Sequence, residues 1–211
     1  MHELARGDAP SSPVQHLATD VDLGVFELPV RAHPKVEQWA SYFATDGRQT
    51  FTRWRDRAQP LREPLGRQLE AAGLPPELIY VAMIESGFLS QATSTSGAAG
   101  VWQFVPATGR AYGLTVTDEL DERRDLARST TAAIAYFRDL HSSERDWDRA
   151  LAAYNIGPGT LAAASKAAGT RDYWQLVDGG HLTPEGANYV AKIYAAAIVD
   201  RYPTAYGFEV R

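Results

Sequence analysis

The 211-residue sequence contains no cysteine. Disulfide bonds, thiol nucleophiles and metal sites built on thiolates are therefore excluded together. The sequence also lacks any run of 18 apolar residues, so no segment is expected to span a bilayer, and its first thirty residues lack the order of a secretory signal. We expect any export signal or membrane anchor to belong to an N-terminal region removed from this chain.

An excess of positive charge is missing as well, since 21 Lys and Arg stand against 26 Asp and Glu, for a formal net charge of -5. Nucleic acid is not an expected partner, because binding a phosphate backbone needs a basic face. The 45% hydrophobic and 22% charged composition is typical of a soluble globular protein, which we expect to be a monomer. No cofactor is expected. A metal in particular is not expected, because the histidines lack the spacing of metal ligands: His2, His16, His33, His141 and His181.

Strand signals are scarce, whereas apolar residues recur at helical spacing along most of the chain. The spacing predicts a helix from Pro34, a second from Phe51, and a third that Pro60 opens and Gly73 stops. Further helices are predicted over ELIYVAMIES, PATGRAYG, residues 126–140, DWDRALAAYN, GTLAAASKAAG and EGANYVAKIYAAAIVDRY. We predict an all-α protein with one domain over residues 34–211, preceded by an extended arm over residues 1–33.

Glu85 is the acidic residue whose surroundings most favour chemistry. It follows the apolar residues 81–84, and Val81 and Ala82 share its helical face, so burial is expected to raise the pKa of its carboxyl group. A carboxyl group that holds its proton near neutral pH can act as a general acid. The alternative is an ordinary solvated residue at the end of a helix.

The loop after Glu85 consists largely of small residues, and residues 94–100 read STSGAAG. Its hydroxyls, among them those of Ser94 and Ser96, suit a neutral polyhydroxylated ligand. Trp102 and Gln103 add an aromatic face and an amide of the kind that bind sugars. The alternative is a flexible linker with a core tryptophan. No nucleophile elbow or base accompanies the serines, so serine hydrolysis is not expected.

A third segment, AAYNIGPG, places Tyr154 and Asn155 where a helical pattern ends before Gly157. Side chains at a helix end can donate hydrogen bonds into a cleft. The alternative, which local composition favours, is that Asn155 terminates the helix and Tyr154 packs in the interior.

In order along the chain, ES, SGAAGVWQF, PATGRAYGL, DERRDLARSTTAA and AYNIGPG resemble the motifs of the soluble lytic transglycosylase domain family. The similarity runs from about Trp39 to Tyr202 and is closest to the membrane-bound lytic murein transglycosylase D subgroup. It implies a helical fold like that of goose-type lysozyme. It also implies non-hydrolytic cleavage of the β-1,4 bond between N-acetylmuramic acid and N-acetylglucosamine in peptidoglycan, leaving 1,6-anhydro-muramic acid ends.

The resemblance also implies roles for individual residues. Glu85 matches the single catalytic acid and base, and Ser86 matches the hydroxyl beside it. Gln103 matches a glutamine that contacts sugar near the scissile bond. Tyr154 and Asn155 match a motif whose tyrosine hydrogen-bonds near the catalytic carboxylate. The remaining counterpart is a late tyrosine, Tyr189, although Ala191 stands where a proline is common, and Val101 and Trp102 stand where many members have Leu and Met.

A single-carboxylate mechanism agrees with the sequence, because no Asp or Glu occurs between residues 86 and 117. A conventional glycosidase needs a second carboxyl group beside the bond. The acidic residues that come next precede Arg123 and Arg124, and we interpret that segment as an exposed, ion-paired turn leading into a helix: Asp118, Glu119, Asp121 and Glu122.

Two alternatives remain at this point. One is a muramidase of the lysozyme type, which would use water; the other is a module that binds peptidoglycan glycan strands without cleaving them. Peptidoglycan lies outside the cytoplasmic membrane, so the predicted location is the periplasm or cell envelope.

Overall fold

The computed structural model describes residues 21–210. Within them the chain forms nine α-helices and no β-strand, only three isolated bridges, so the all-α prediction is confirmed. No helix of this part of the chain is long and apolar enough to cross a membrane. The helices are α1 (Pro34–Ala44), α2 (Arg48–Ala71), α3 (Ile79–Ser86), α4 (Pro106–Ala111), α5 (Leu126–Glu144), α6 (Trp147–Ile156), α7 (Pro158–Ala168), α8 (Tyr173–Asp178) and α9 (Pro184–Arg201).

Helix α2 corrects the prediction of separate helices before and after Pro60. It is a single helix of 24 residues with Pro60 and Pro64 inside it. Each proline removes one backbone hydrogen bond, to the carbonyl of Asp56 or of Pro60. These residues are exposed, so water can solvate the carbonyls, and the helix continues. The predicted stop at Gly73 is confirmed by its left-handed φ of 72° and by the bond from Leu74 N to Leu69 O.

Helix α8 was not predicted from the sequence. It has six residues, which is too short to show a helical period. Its start depends on Asp172, whose side chain accepts a hydrogen bond from the backbone N–H of Gln175 at 2.9 Å.

The described residues form two compact units. One contains residues 49–138 and the other contains residues 21–48 and 139–210. In the first unit, Trp102 is fully buried, donates a hydrogen bond from Nε1 to Thr130 Oγ1 at 3.0 Å, and meets the ring of Phe137 edge-on. These contacts join the chain after α3 to α5.

In the second unit, α9 is buried over all of residues 186–200. Helix α1 packs against it, with Trp39 Nε1 donating to Asn188 Oδ1 at 3.1 Å and the ammonium of Lys192 lying 4.6 Å from the Trp39 ring centre. The polar contacts fix the register of the two helices.

Asp148 of α6 is a buried carboxylate of the second unit, with 3% of its surface exposed. It accepts hydrogen bonds from Trp174 Nε1 of α8, at 2.9 Å, and from the hydroxyl of Tyr194 of α9. The guanidinium of Arg31, from the segment before α1, pairs with it at 3.0 Å. Burial raises the pKa of Asp148, against the opposing effect of these donors. Three parts of the chain are thereby attached to α6.

The predicted N-terminal arm falls partly outside the described residues, which begin at residue 21. From there to His33 the chain contains one short 3-10 helix, Leu23–Val25, and it buries Leu28 and Val30. The boundary predicted between an arm and a catalytic domain at residues 33 and 34 stays a prediction.

Candidate active site

Glu85 lies in the last turn of α3, one residue before the helix ends at Ser86. The two residues on its helical face, Val81 and Ala82, are fully buried, while Glu85 itself is half-buried. The predicted position of Glu85, at the end of a helix and against the interior of its unit, is confirmed. A carboxyl group in this place borders both apolar packing and solvent.

The end of α3 is sharply defined by two consecutive left-handed residues, Gly87 with φ 56° and Phe88 with φ 64°. Gly87 N donates to Met83 O at 2.8 Å. A methyl group at Gly87 would come within 2.4 Å of the Trp54 ring, so this position needs glycine for space as well as for conformation. A bulky residue such as Phe88 is rarely found with positive φ, and its burial holds it there.

Ser86 joins the helix end to the loop that follows. Its hydroxyl is buried and donates to the carbonyl of Val101 at 2.8 Å, with the carbonyl of Ala82 also within reach at 3.2 Å. The residue that follows Glu85 is therefore hydrogen-bonded to the part of the loop that carries Trp102 and Gln103. The predicted role of Ser86 in binding substrate stays a prediction.

The loop over residues 92–104 is closed by its own hydrogen bonds. Ser94 N donates to Ala98 O at 2.9 Å, and Gly100 N donates to Ala92 O at 3.1 Å. The hydroxyl of Ser94 accepts a bond from Ala98 N and lies 2.8 Å from the hydroxyl of Ser96, which is exposed. The loop thus presents Ser96 to solvent from an ordered backbone.

Trp102 is a core tryptophan. Because it is fully buried and bonded to Thr130, it offers no aromatic face to a sugar. The alternative interpretation of this residue, a tryptophan of the core, is confirmed.

Gln103 follows with a left-handed φ of 50° and 8% of its surface exposed. Its Nε2 donates to Gly100 O at 2.8 Å and lies 3.4 Å from Ala92 O. The side chain therefore supports the loop that carries it, an arrangement that the sequence did not reveal. Sugar contact by Gln103 stays a prediction.

The segment 118–124 differs in part from the exposed turn that was predicted. The ion pairs are present, with Arg123 Nε 2.8 Å and Arg124 Nε 3.5 Å from the Asp121 carboxylate, and the segment does lead into α5. Arg123, however, is buried, with 7% exposed. Its burial depends on carbonyl acceptors from a distant part of the chain, which local composition cannot indicate.

Two of the four carboxyl groups of this segment, those of Asp121 and Glu122, are bound by donors. Hydrogen bonds from the Arg123 guanidinium hold the pKa of Asp121 below its usual range. Glu122 Oε2 accepts from Thr115 N at 2.7 Å, which lowers the pKa of Glu122. Asp118 and Glu119 are exposed. Each of these groups has an environment that accounts for it without a role in catalysis.

Tyr154, Asn155 and Tyr189 belong to the second unit. Tyr154 and Asn155 occupy the last turn of α6 and are half-buried, and Tyr189 is buried in α9, with 4% exposed. Asn155 Nδ2 lies 3.5 Å from Glu185 Oε1, whereas its Oδ1 is buried without a hydrogen-bond partner. The predicted helix end is confirmed; the proposed contacts of these side chains with substrate stay predictions.

Among residues 21–210 there is no cluster of three or more His, Asp or Glu side chains that could hold a metal ion.

The chain is similar in sequence to known proteins. The model of the transglycosylase SLT domain matches residues 66–177, a stretch that includes Glu85, Gln103 and Asn155. Membrane-bound lytic murein transglycosylase D of Escherichia coli K12 is 37% identical over 156 residues, which cover 72% of this chain and 34% of that protein. The chain thus spans about a third of the length of this relative.

Two solved structures are similar in fold. One is an inactive mutant of the lytic transglycosylase Slt from Pseudomonas aeruginosa, with a TM-score of 0.57, 24% identity, and coverage of 81% of this chain and 30% of that one. The other is the 70 kDa soluble lytic transglycosylase of Escherichia coli, with a TM-score of 0.58, 18% identity, and coverage of 85% and 32%. The expected lysozyme-like helical fold is confirmed, and the chain belongs to the transglycosylase SLT domain family.

Proposed function

We propose that this chain is the catalytic domain of a peptidoglycan lytic transglycosylase. Its substrate would be the β-1,4 bond between N-acetylmuramic acid and N-acetylglucosamine, and its product a 1,6-anhydro-muramic acid end. The observation that carries the proposal is the place of Glu85, half-buried in the last turn of α3 and followed by a loop without another carboxyl group, in a chain of the SLT family.

In the proposed reaction Glu85 acts first as a general acid. It donates its proton to the glycosidic oxygen as the bond between that oxygen and C1 of the muramic acid breaks. The N-acetyl oxygen of the same sugar stabilises the positive charge that develops at C1. A carboxyl group with a raised pKa suits this step, and for Glu85 that shift stays a prediction from its apolar neighbours.

Glu85 then acts as a general base. Its carboxylate accepts the proton of the C6 hydroxyl while the C6 oxygen forms a bond to C1, so the ring closes and the carboxyl group regains its proton. No water molecule is consumed. One carboxyl group is sufficient, and the engagement of Asp121 and Glu122 by Arg123 and Thr115 supports this route over one that needs two.

Substrate binding is proposed for Ser86, Ser96 and Gln103 in the first unit, and for Tyr154, Asn155 and Tyr189 in the second. Ser96 is exposed on its loop, and Asn155 has a buried carbonyl oxygen without a partner, which a donor on the ligand could satisfy. Peptidoglycan strands are thus the proposed partner, and the cell envelope is the proposed location.

The proposal is tested by replacing Glu85 with Gln. Purified sacculi are digested with each variant, and the released muropeptides are weighed by mass spectrometry. We expect Glu85→Gln to lower the rate of anhydro-product release by about 10² to 10⁴-fold or more, because the acid and base steps are lost. Glycan binding should persist. Glu119→Gln, which makes the same change at an exposed carboxylate of the same unit, is the matched control and should keep wild-type activity.

The same digestion separates the alternatives. A hydrolytic muramidase would release reducing-end products that are heavier than the anhydro products by one water. A binding module without activity would retain saccharides and release nothing. Wild-type rates from Glu85→Gln would remove the assignment of Glu85.

A further inference from the structure

Arg123 makes contacts that an ordinary surface arginine does not. Its Nη1 donates to Gly97 O at 2.7 Å and to Phe104 O at 2.9 Å, in the middle and at the end of the loop over residues 92–104. Its Nε and Nη2 each donate to one oxygen of Asp121 at 2.8 Å. The guanidinium thus has four charge-assisted bonds in one plane and only 7% exposure.

The backbone beside Arg123 is in equally close contact with the loop. Gly100 has φ 82°, and a methyl group added to it would lie 1.7 Å from Arg123 O. Any other residue at position 100 would therefore push the loop away from the Arg123 peptide.

Arg124 adds two contacts to the start of the same loop. Its Nη1 lies 3.3 Å from Ala92 O, and its Nη2 donates to Thr93 Oγ1 at 2.7 Å. The two arginines together contact the loop near both ends, at residues 92–93 and 104, and at Gly97 between them. Arg128, in the first turn of α5, differs from both, because its side chain is 68% exposed and its ion pair with Glu122 is long, at 3.6 Å.

We propose that Arg123, held by Asp121, is a positioning residue that fixes the loop over residues 92–104, and with it Ser96 and Gln103, in the arrangement that acts on glycan beside Glu85. This inference rests on the proposed function. Arg123 touches the loop and not the reacting atoms, so it acts through the residues that the loop carries.

The chemistry of the side chain explains why arginine is needed. Two carbonyl oxygens and both oxygens of a carboxylate require a planar fork of donors with fixed directions, which guanidinium provides and an ammonium group does not. Arg123→Lys keeps the charge and is expected to make only part of the set. Because misplacing a binding group by about 1 Å can cost about 10²-fold in rate, a loose loop should be visible in kinetics.

The experiment compares Arg123→Gln, Arg123→Lys and wild type, with Arg128→Gln as the matched control for loss of one positive charge nearby. Initial rates on soluble, uncrosslinked glycan strands give kcat and KM, normalised to the folded fraction from denaturant unfolding. We expect kcat/KM to fall about 10 to 100-fold in Arg123→Gln with a raised KM, less in Arg123→Lys, and not at all in Arg128→Gln. A merely structural loss would leave KM unchanged.

Hydrogen exchange provides a readout that does not need turnover. In Arg123→Gln the amides of Ser94, Ala99 and Gly100, which bond within the loop, should exchange faster, while those of α3 keep wild-type protection. If Arg123→Gln does not fold, Arg123→Lys and Asp121→Asn decide by the same two measurements.

The outcomes distinguish this inference from the function on which it rests. No anhydro product from the wild type would overturn the proposed function. The positioning role would be overturned if the wild type releases anhydro product and the Arg123 variants have the same kinetics and the same loop exchange as Arg128→Gln.

Discussion

At the scale of single residues, the end of α3 depends on a position that tolerates no side chain. Gly87 follows Ser86 directly and combines a left-handed φ with a Trp54 ring in van der Waals contact. The two constraints are independent, since one is a property of the backbone and the other of packing. Both act within two residues of Glu85.

We therefore expect Gly87→Ala to lower the free energy of unfolding by about 2 to 4 kcal/mol, from backbone strain and from overpacking against Trp54. The matched control is Gly66→Ala, within α2, where the nearest atom to an added methyl is Pro76 Cβ at 3.9 Å. There alanine should be neutral or stabilising by up to about 1 kcal/mol, as helix propensity predicts. Denaturant unfolding measures both, and equal values for the two variants would contradict this account.

Single residues also show which features of the site could be predicted from the sequence alone. The placement of Glu85 and Ser86 at a helix end followed from an apolar run that stops before glycine, which is local information. Trp102 was undecided, because an indole suits a core and a sugar-binding face equally well. The burial of Arg123 could not be predicted, since its acceptors at Gly97 and Phe104 are brought to it only by the tertiary fold.

At the scale of elements, α2 shows that proline ends a helix only where the loss of its backbone hydrogen bond is costly. Pro60 and Pro64 are both exposed and follow each other by one turn, so the two unbonded carbonyls lie on the solvent side. Sequence rules place Pro at helix starts, and they predicted a boundary here for that reason. The apolar stripe on the other face, which includes Leu65 and Leu69, outweighed it.

This account predicts that Pro64→Ala stabilises the protein. Alanine restores a backbone N–H to the Pro60 carbonyl and removes a ring clash, which we expect to add about 1 to 2 kcal/mol after allowing for the more flexible unfolded chain. Pro158→Ala is the control, because Pro158 is the first residue of α7, where the N–H has no acceptor in the helix. It should show no gain in denaturant unfolding; a gain equal to that of Pro64→Ala would show that the position within the helix is irrelevant.

At the scale of the whole molecule, the segment before α1 links stability to pH. His33 caps α1 by accepting from Lys35 N through Nδ1, so in the neutral ring Nε2 carries the proton and donates to Asp178 at 3.2 Å. The ring also packs 4.2 Å from that of Trp174. Burial lowers the pKa of His33, with smaller contributions from Lys35 and Arg31, while Asp178 opposes the shift. The contact with Asp178 at neutral pH is therefore a hydrogen bond of neutral histidine.

The sign of the effect follows from linkage. Below the ordinary histidine pKa the unfolded chain binds the proton more readily than the folded one, so stability should fall as pH decreases from about 7 through about 6. His33→Asn, which can still cap α1, should remove this part of the pH dependence. Asp178→Asn should enlarge it, because a charge that favours protonated His33 is lost. Unfolding free energies measured from pH 5 to 8 give both slopes, and identical slopes in the two variants would contradict the assignment to His33.

The contacts of Asp148 limit where the chain can be truncated. Asp148 and Trp174 fall inside the stretch matched by the SLT domain, whereas Arg31 and Tyr194 fall outside it. A fragment trimmed to residues 66–177 would keep the buried carboxylate of Asp148 but would lose two of its three donors. It would also lose all of α1 and α9. The stretch matched by the SLT domain model is therefore shorter than the part of the chain whose side chains contact Asp148.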